Sequence, residues 1–499
     1  MENRSQWGTR AGFILAAVGS AVGLGNIWRF PYVAYDNGGG AFFLPYLIAL
    51  LTAGIPILIM EFTLGHRYRG SAPLVFRKMN KKAEWLGWWQ VFIAFIISTY
   101  YAVIIAWAMA YAIFSFNLSW GNDTAGFLTG DYLKLVDAGQ FGSLVPSVLI
   151  PLIIVWVLVL GTLFKGVRKG IEVANKIFIP TLLVLFLIIV IRAVTLDGAL
   201  QGLNAMFQPD WSQIANADVW IAAYGQIFFS LSICFAIMIT YSSYLPKKSD
   251  INNNAFIAGF SNSSFELLAG IGVFSAIGFM ANTTGQPVEE VVNSGVLLAF
   301  AVFPEIINQI PGIPGLFGFL FFASLVLAGM SSLISICETY IAAFQEKFNI
   351  SRTKAVAIGG GLSAVISLVY ATQGGLNFLD TVDHFVLSMG VGLAGLVEVI
   401  VIAWVLRKVK NLQEYNNALS DIKVGSWWVI CLTVITPILM TFMMAQSIYT
   451  DLTEQYSGYP WSFLIICGWI MLALTLIAGF IFTSVKWKSG LEKQDKEVS

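Results

Sequence analysis

The chain has 499 residues, 57% of them hydrophobic and 11% charged, and its 28 basic and 28 acidic side chains leave no net charge. Soluble proteins carry about 25% charged residues, so the composition excludes an ordinary soluble domain, and the balanced charge excludes a basic surface for nucleic acid. The four cysteines, Cys234, Cys337, Cys431 and Cys467, lie in apolar runs without metal or disulfide-framework spacing.

A bilayer takes about 20 apolar residues in a helix. Runs of that kind fall near 10–35, 41–65, 86–116, 146–164, 171–192, 218–245, 252–281, 315–348, 353–371, 377–407, 425–447 and 460–486. The expected fold is all-α and polytopic, with 12 transmembrane helices. Lys and Arg concentrate in alternate loops, from Arg67 to Lys82, Lys165 to Lys169, Lys247 and Lys248, and Arg407 to Lys410. The intervening loops carry Asp123, Asp131, Glu289, Glu290 and Asp451 instead. The positive-inside rule then places both termini in the cytoplasm. Of the longer outside segments, 117–145 and 282–314, the second reads as a helical hairpin over the outer face.

The first run contains residues 19–31, GSAVGLGNIWRFP. Three glycines in one helix core weaken it by roughly 1 kcal/mol each. A membrane helix breaks only where its freed N–H and C=O groups find partners. This stretch therefore reads as a break that coordinates something: carbonyls for a cation, the N-terminus of the second half-helix for an anion. The second run carries Glu61, a buried acid able to accept from N–H groups that such breaks release. The sixth run is interrupted in the same manner, GQIFFSLSICF over residues 225–235. Broken helices at matching places point to two inverted five-helix repeats with a midplane site between them, followed by two extra helices. The expected divisions are 1–192, 218–407 with the outer segment 282–314, 425–486, and a tail over 487–499.

Asn262 and Glu266, four residues apart in the seventh run, share a helix face. An amide oxygen is a hard donor suited to sodium, and a nearby carboxylate balances a cation. In the eighth run, LAGMSSLIS offers Ala328, Ser331 and Ser332 as further oxygen donors. Arg29 and Asp383, near helix ends on one side, could pair as a gate. His66 and His384 are the only histidines, and no nucleophile–base pair is visible, so no enzyme is expected.

Together, GSAVGLGNIWRFP, NGGGAF at 37–42, GIP with Glu61, the paired Tyr100 and Tyr101, FFSLS, Asn262 and AGMSS resemble the neurotransmitter:sodium symporter family, in its bacterial amino-acid transporter branch. The resemblance implies two sodium ions (Na+). The first would be held by Ala21, Asn26, Ser230 and Asn262, completed by the substrate carboxylate. The second would be held by Gly19, Val22, Ala328, Ser331 and Ser332. The substrate carboxylate would meet the N–H groups of Leu24 and Gly25 and the Tyr101 hydroxyl. Its amine would meet carbonyls of Ala21, Phe229 and Ser230. Ile97, Phe229, Ser232, Phe235, Ser332 and Ile336 would line the side-chain pocket. Arg29 with Asp383 resembles an outer gate, lidded by Phe229 and Tyr101, and Arg4, Trp7 and Glu346 resemble an inner one. Gly170 and Pro180 match the family's Gly-x9-Pro motif, where unwinding admits water to the second sodium.

Three positions refine that expectation. Gly23 stands where monoamine-carrying members have an aspartate, which favours a substrate bringing its own carboxylate. Glu266 stands where chloride-dependent members have serine, so its fixed charge replaces the anion. Cys234 stands where relatives often have glycine and would add bulk beside the pocket, against a large aromatic substrate. The expected function is sodium-coupled symport of a neutral amino acid across the plasma (inner) membrane by alternating access, independent of chloride. A proton-coupled transporter of the same architecture, or an ion channel, are the alternatives. The partners expected are the amino acid and the lipid bilayer, and no nucleic acid.

Overall fold

The computed structural model describes residues 5–291 and 295–488. Arg4, residues 489–499 of the expected tail, and residues 292–294 of the outer segment lie outside them.

Among the described residues every regular element is a helix, apart from isolated bridges. Among the described residues, ten single helices are long and apolar enough to cross a membrane, from Gly40–Tyr68 through Trp461–Ser484. The first span is a pair, Arg10–Ala21 and Leu24–Asp36, bent by 54°. The sixth is also a pair, Ala217–Ser230 and Ile237–Ser242, separated by residues 231–236. The twelve expected runs are thus all helical, and the two expected to be interrupted are the two that are.

Burial sorts the spans. In the third (Lys81–Phe114) and seventh (Ile251–Thr284), 83% and 78% of the most apolar window is buried within the protein. In the fourth (Pro146–Phe164), fifth (Val167–Val194) and twelfth (Trp461–Ser484) the figure is 33%, with Ile153, Leu158, Val184, Ile191 and Ile477 turned outward. A helix apolar all round is stable at either place, in a protein core or against lipid. The eighth span (Pro314–Phe348) packs along the third, and the seventh along the second half of the first. The broken spans therefore stand inside a wall of continuous helices.

The first break has a local cause, and the sixth-span break is held by distant contacts. Val22 leaves helical geometry with ψ near 90°, and Gly23 is extended. Asn26 then caps the second half-helix, its Oδ1 accepting from the Gly23 N–H at 2.9 Å. In the sixth span, Ser232, Cys234 and Ala236 have φ of 52°, 70° and 70°. Left-handed conformations cost non-glycine residues roughly 1 kcal/mol or more each. Tertiary hydrogen bonds offset that cost: Ser232 Oγ donates to the Ser20 carbonyl at 2.8 Å, and the Cys234 N–H donates to Glu61 Oε1 at 2.9 Å. One bond thus ties the sixth-span break to the first span, and the other ties it to the second.

Over one end of the bundle lies the apolar helix Gly295–Gln309. Phe300 is buried against Trp107, Tyr111 and Phe322, and Gly295 and Val296 reach the mouth of the central cavity.

Candidate functional site

Beside the two breaks is a cavity of about 340 Å³. Its base is formed by Ala21, Gly23 to Asn26, Ile97, Tyr101, Phe229, Ser232, Phe235, Ser332 and Ile336, and its mouth by Arg29, Asp380, Asp383 and Tyr456. Residues from the first, third, sixth, eighth, tenth and eleventh spans converge there, Ser20 and Tyr456 lying 436 positions apart in sequence.

The backbone supplies the chemistry. In an unbroken helix the Gly19 carbonyl would accept from the Gly23 N–H. That N–H goes to Asn26 instead, and the Gly19 oxygen accepts from Ser331 Oγ at 2.7 Å and Ser332 Oγ at 3.4 Å. Ser331 and Ser332 also donate to the Ala328 carbonyl, at 2.8 and 3.2 Å. The helical partner of the Val22 carbonyl, the Asn26 N–H, turns to the Gly23 carbonyl at 3.3 Å. The carbonyls of Gly19 and Ala328 and the hydroxyls of Ser331 and Ser332 thus meet as neutral hard oxygens, the donor type that suits an alkali cation, and the Val22 carbonyl is left without its helical partner. Asn175 and Ile179, on the fifth span between Gly170 and Pro180, press on Gly19: a Cβ there would lie 2.5 Å from Asn175 Oδ1.

A second oxygen group lies across the break. Asn26 Nδ2 donates to Asn262 Oδ1 at 2.8 Å, and Asn262 Nδ2 donates to Ser230 Oγ at 3.0 Å. All three side chains are buried. The first, sixth and seventh spans are thereby linked through side chains able to offer oxygen to a cation, beside Ala21 at the cavity wall.

Donors meet at the start of the second half-helix. The Leu24 N–H points to the Tyr101 hydroxyl at 3.4 Å, and the Gly25 N–H belongs to the same first turn. A helix N-terminus favours an anion by both its free N–H groups and its dipole. Gly25 allows close approach: a Cβ there would fall 2.2 Å from Cε1 of Phe229. A Cβ at Gly23 would face the Tyr101 and Ser332 hydroxyls at 3.0 and 3.2 Å.

Glu266 is fully buried among neutral donors. Gln226 Nε2 donates to its Oε1 at 2.6 Å, Tyr46 OH donates to its Oε2, and Tyr46 OH also meets Ser263 Oγ at 2.8 Å. Among the described residues it forms no ion pair. Glu61 accepts from the Cys234 N–H, so it supports the sixth-span break directly.

The gates differ from expectation in detail. Arg29 and Asp383 line the same mouth, yet among the described residues they make no ion pair within 4.0 Å. The Arg29 guanidinium lies over the Phe229 ring instead, 4.5 Å from its centroid. A cation over an aromatic face is held electrostatically, and this stack takes Arg29 from Asp383. At the opposite end Trp7 is buried, donating to the Tyr241 carbonyl at 2.8 Å and packed edge-on against Phe13 and Tyr241. Glu346 accepts from the Ser71 N–H and hydroxyl at 2.9 and 2.6 Å.

Cys234 corrects an expectation. It does not line the cavity. Its left-handed backbone turns the thiol to Gly395 of the tenth span, where an added Cβ would lie 2.6 Å from Sγ. The bulk sits behind the pocket, so the case against an aromatic substrate falls. Sequence reasoning missed Gln226 and Tyr46, which lack an isolated signal. It also missed Glu398, which the search for acids inside apolar runs reaches.

The sequence profile of the sodium:neurotransmitter symporter family matches residues 4–136 and 122–489. The sodium-dependent transporter MJ1319 of Methanocaldococcus jannaschii is 41% identical, over 98% of this chain and 99% of its own. The human sodium- and chloride-dependent GABA transporter 2 is 31% identical, over 92% of this chain and 83% of its own. The human sodium- and chloride-dependent neutral and basic amino acid transporter B(0+) is 28% identical, over 95% and 84%. Among solved structures, that of MhsT in complex with L-phenylalanine is similar with a TM-score of 0.75 and 32% identity, covering 89% of this chain and all of MhsT.

Proposed function

The chain belongs to the sodium:neurotransmitter symporter family, and from that premise we propose that it carries a neutral amino acid together with two sodium ions across the plasma membrane, by alternating access and without chloride. The observation that carries this reading is the placing of two oxygen clusters and a free helix N-terminus at a single break, around residues 19–26.

The roles follow from the donors. The substrate carboxylate docks on the Leu24 and Gly25 N–H groups beside the Tyr101 hydroxyl, and its amine meets the carbonyls of Ala21, Phe229 and Ser230. One sodium is held by Ala21, Asn26, Ser230 and Asn262, with the carboxylate as a further ligand. The other is held by Gly19, Val22, Ala328, Ser331 and Ser332. A shared carboxylate makes each solute raise the affinity for the other, and that coupling is reciprocal. Ile97, Phe229, Phe235 and Ile336 offer the substrate side chain an apolar pocket, with hydroxyls from Ser232 and Ser332. The charged groups of the cavity stay at its mouth, which favours a neutral side chain. MhsT, crystallised with L-phenylalanine, lends support to an amino acid as the cargo.

Gly23 leaves the site without a carboxylate for an amine, which disfavours a monoamine. Glu266 accepts from two neutral donors, Tyr46 and Gln226, of the kind that would otherwise hold an anion, so its charge makes chloride dispensable. Arg29, Asp383, Phe229 and Tyr101 close the mouth, and Trp7 and Glu346 close the other end. Both termini face the cytoplasm, where the basic loops lie.

Uptake into proteoliposomes tests the proposal. An inward sodium gradient drives amino-acid accumulation with chloride replaced by gluconate. Uptake indifferent to sodium but driven by a pH gradient would replace sodium coupling with proton coupling.

A further inference from the structure

Behind the substrate cavity, three spans bring Glu61, Cys234 and Glu398 together. All three are fully buried, and one carboxylate oxygen of each acid and the thiol sulfur lie within 4.8 Å of one another. Glu61 comes from the second span, Cys234 from the sixth-span break and Glu398 from the tenth. The third span contributes only the neutral Gln90 amide, and Met440 of the eleventh comes close to Gly395, beside the thiol. Among the described residues neither acid forms an ion pair.

The hydrogen bonds account for half of the carboxylate oxygens. Glu61 Oε1 accepts from the Cys234 N–H at 2.9 Å, and Glu398 Oε2 accepts from Gln90 Nε2 at 2.6 Å. The other two, Glu61 Oε2 and Glu398 Oε1, are buried without a partner. Two carboxylates this close in an apolar interior cannot both ionise without a cation between them. One proton supplies what is missing, bound to an oxygen of one acid and donated to the other, directly or through a single water. All four oxygens are then satisfied, and the acid that stays ionised accepts from one N–H donor and from the shared proton.

We propose that Glu61 and Glu398 form a proton-binding site that holds one proton between them and ties the sixth-span break to the tenth span. The proton belongs to the pair rather than to either residue. The hollow at Gly395 that receives the Cys234 thiol keeps the pair in register. Because Glu61 also holds the Cys234 N–H, and Phe235 next to it lines the cavity, the proton lies one residue from the substrate site.

Infrared difference spectroscopy of the full-length protein in lipid nanodiscs tests this. Wild type is compared with E398Q and with E61Q, in H2O and D2O. In each variant the glutamine amide donates where the proton did, leaving one ionised acid. Each variant should therefore lose the area of one protonated-carboxyl C=O band that wild type shows across the neutral pH range. Labelling with 13C-glutamate moves that band and assigns it to glutamate. Transport by E398Q should stay within about twofold of wild type, and E398L, which leaves Glu61 Oε2 bare, should lose most of it. Wild-type and E398Q spectra that superimpose across that pH range, with E61Q likewise, would overturn the proposal, whatever the uptake.

Discussion

Asn26 and Asn262 meet amide to amide across the first-span break, Nδ2 to Oδ1 at 2.8 Å, while the other oxygen of the pair caps Gly23. Asn26 thus shapes the break, and the proposed sodium site asks it to offer its oxygen to the ion as well. Asn26→Ala or Asn262→Ala should weaken sodium and substrate binding together, each by about tenfold, or roughly 1.4 kcal/mol. Isothermal titration with each solute at fixed concentrations of the other measures this. Loss of one affinity alone would separate the two sites.

Gly25 tests the substrate end without touching an oxygen donor. A methyl there would lie 2.2 Å from Phe229 Cε1, so the ring must move. Gly25→Ala should raise the substrate concentration for half-saturation by tenfold or more, on the order of a 1–3 kcal/mol overpacking cost. Adding Phe229→Leu should recover part of it. Tight binding by Gly25→Ala alone would mean that the substrate does not approach this turn.

Ser331 and Ser332 both reach the freed Gly19 carbonyl, at 2.7 and 3.4 Å. Removing a hydroxyl that solvates a cation costs about 1.5–3 kcal/mol. Ser332→Ala should therefore shift the sodium titration of uptake upward by about tenfold. An unchanged titration would leave these serines as packing between the first and eighth spans.

The sequence carried the first break because three glycines and Asn26 have no use in a straight apolar helix. It did not carry the left-handed turns at Ser232, Cys234 and Ala236. Their conformations depend on the Ser20 carbonyl and on Glu61, which lie 212 and 173 positions away. For the same reason the direction of the Cys234 thiol was invisible, since the hollow at Gly395 that admits it belongs to another span. Arg29 and Asp383 are legible as residues of one mouth, but the choice of Phe229 over Asp383 as the partner of Arg29 is a property of that mouth's geometry. Motifs mark which residues meet; the contacts that hold non-glycine backbone in unusual shapes do not leave a local pattern.

Glu266 places a carboxylate where the Tyr46 hydroxyl and the Gln226 amide converge. Glu266→Ser removes it and leaves the donors, so uptake should become dependent on chloride and be restored by its addition. Equal uptake in chloride and gluconate by that variant would remove the charge-compensation role.

Binding of an alkali ion and an amino acid together at one break underlies the proposed transport. Binding of radiolabelled amino acids to the purified protein, in sodium and in potassium at equal ionic strength, tests it most directly. The prediction is saturable binding of one or more neutral amino acids in sodium, and a sodium half-saturation lowered by substrate by the same factor that sodium tightens the substrate. Equal binding in sodium and potassium would contradict it.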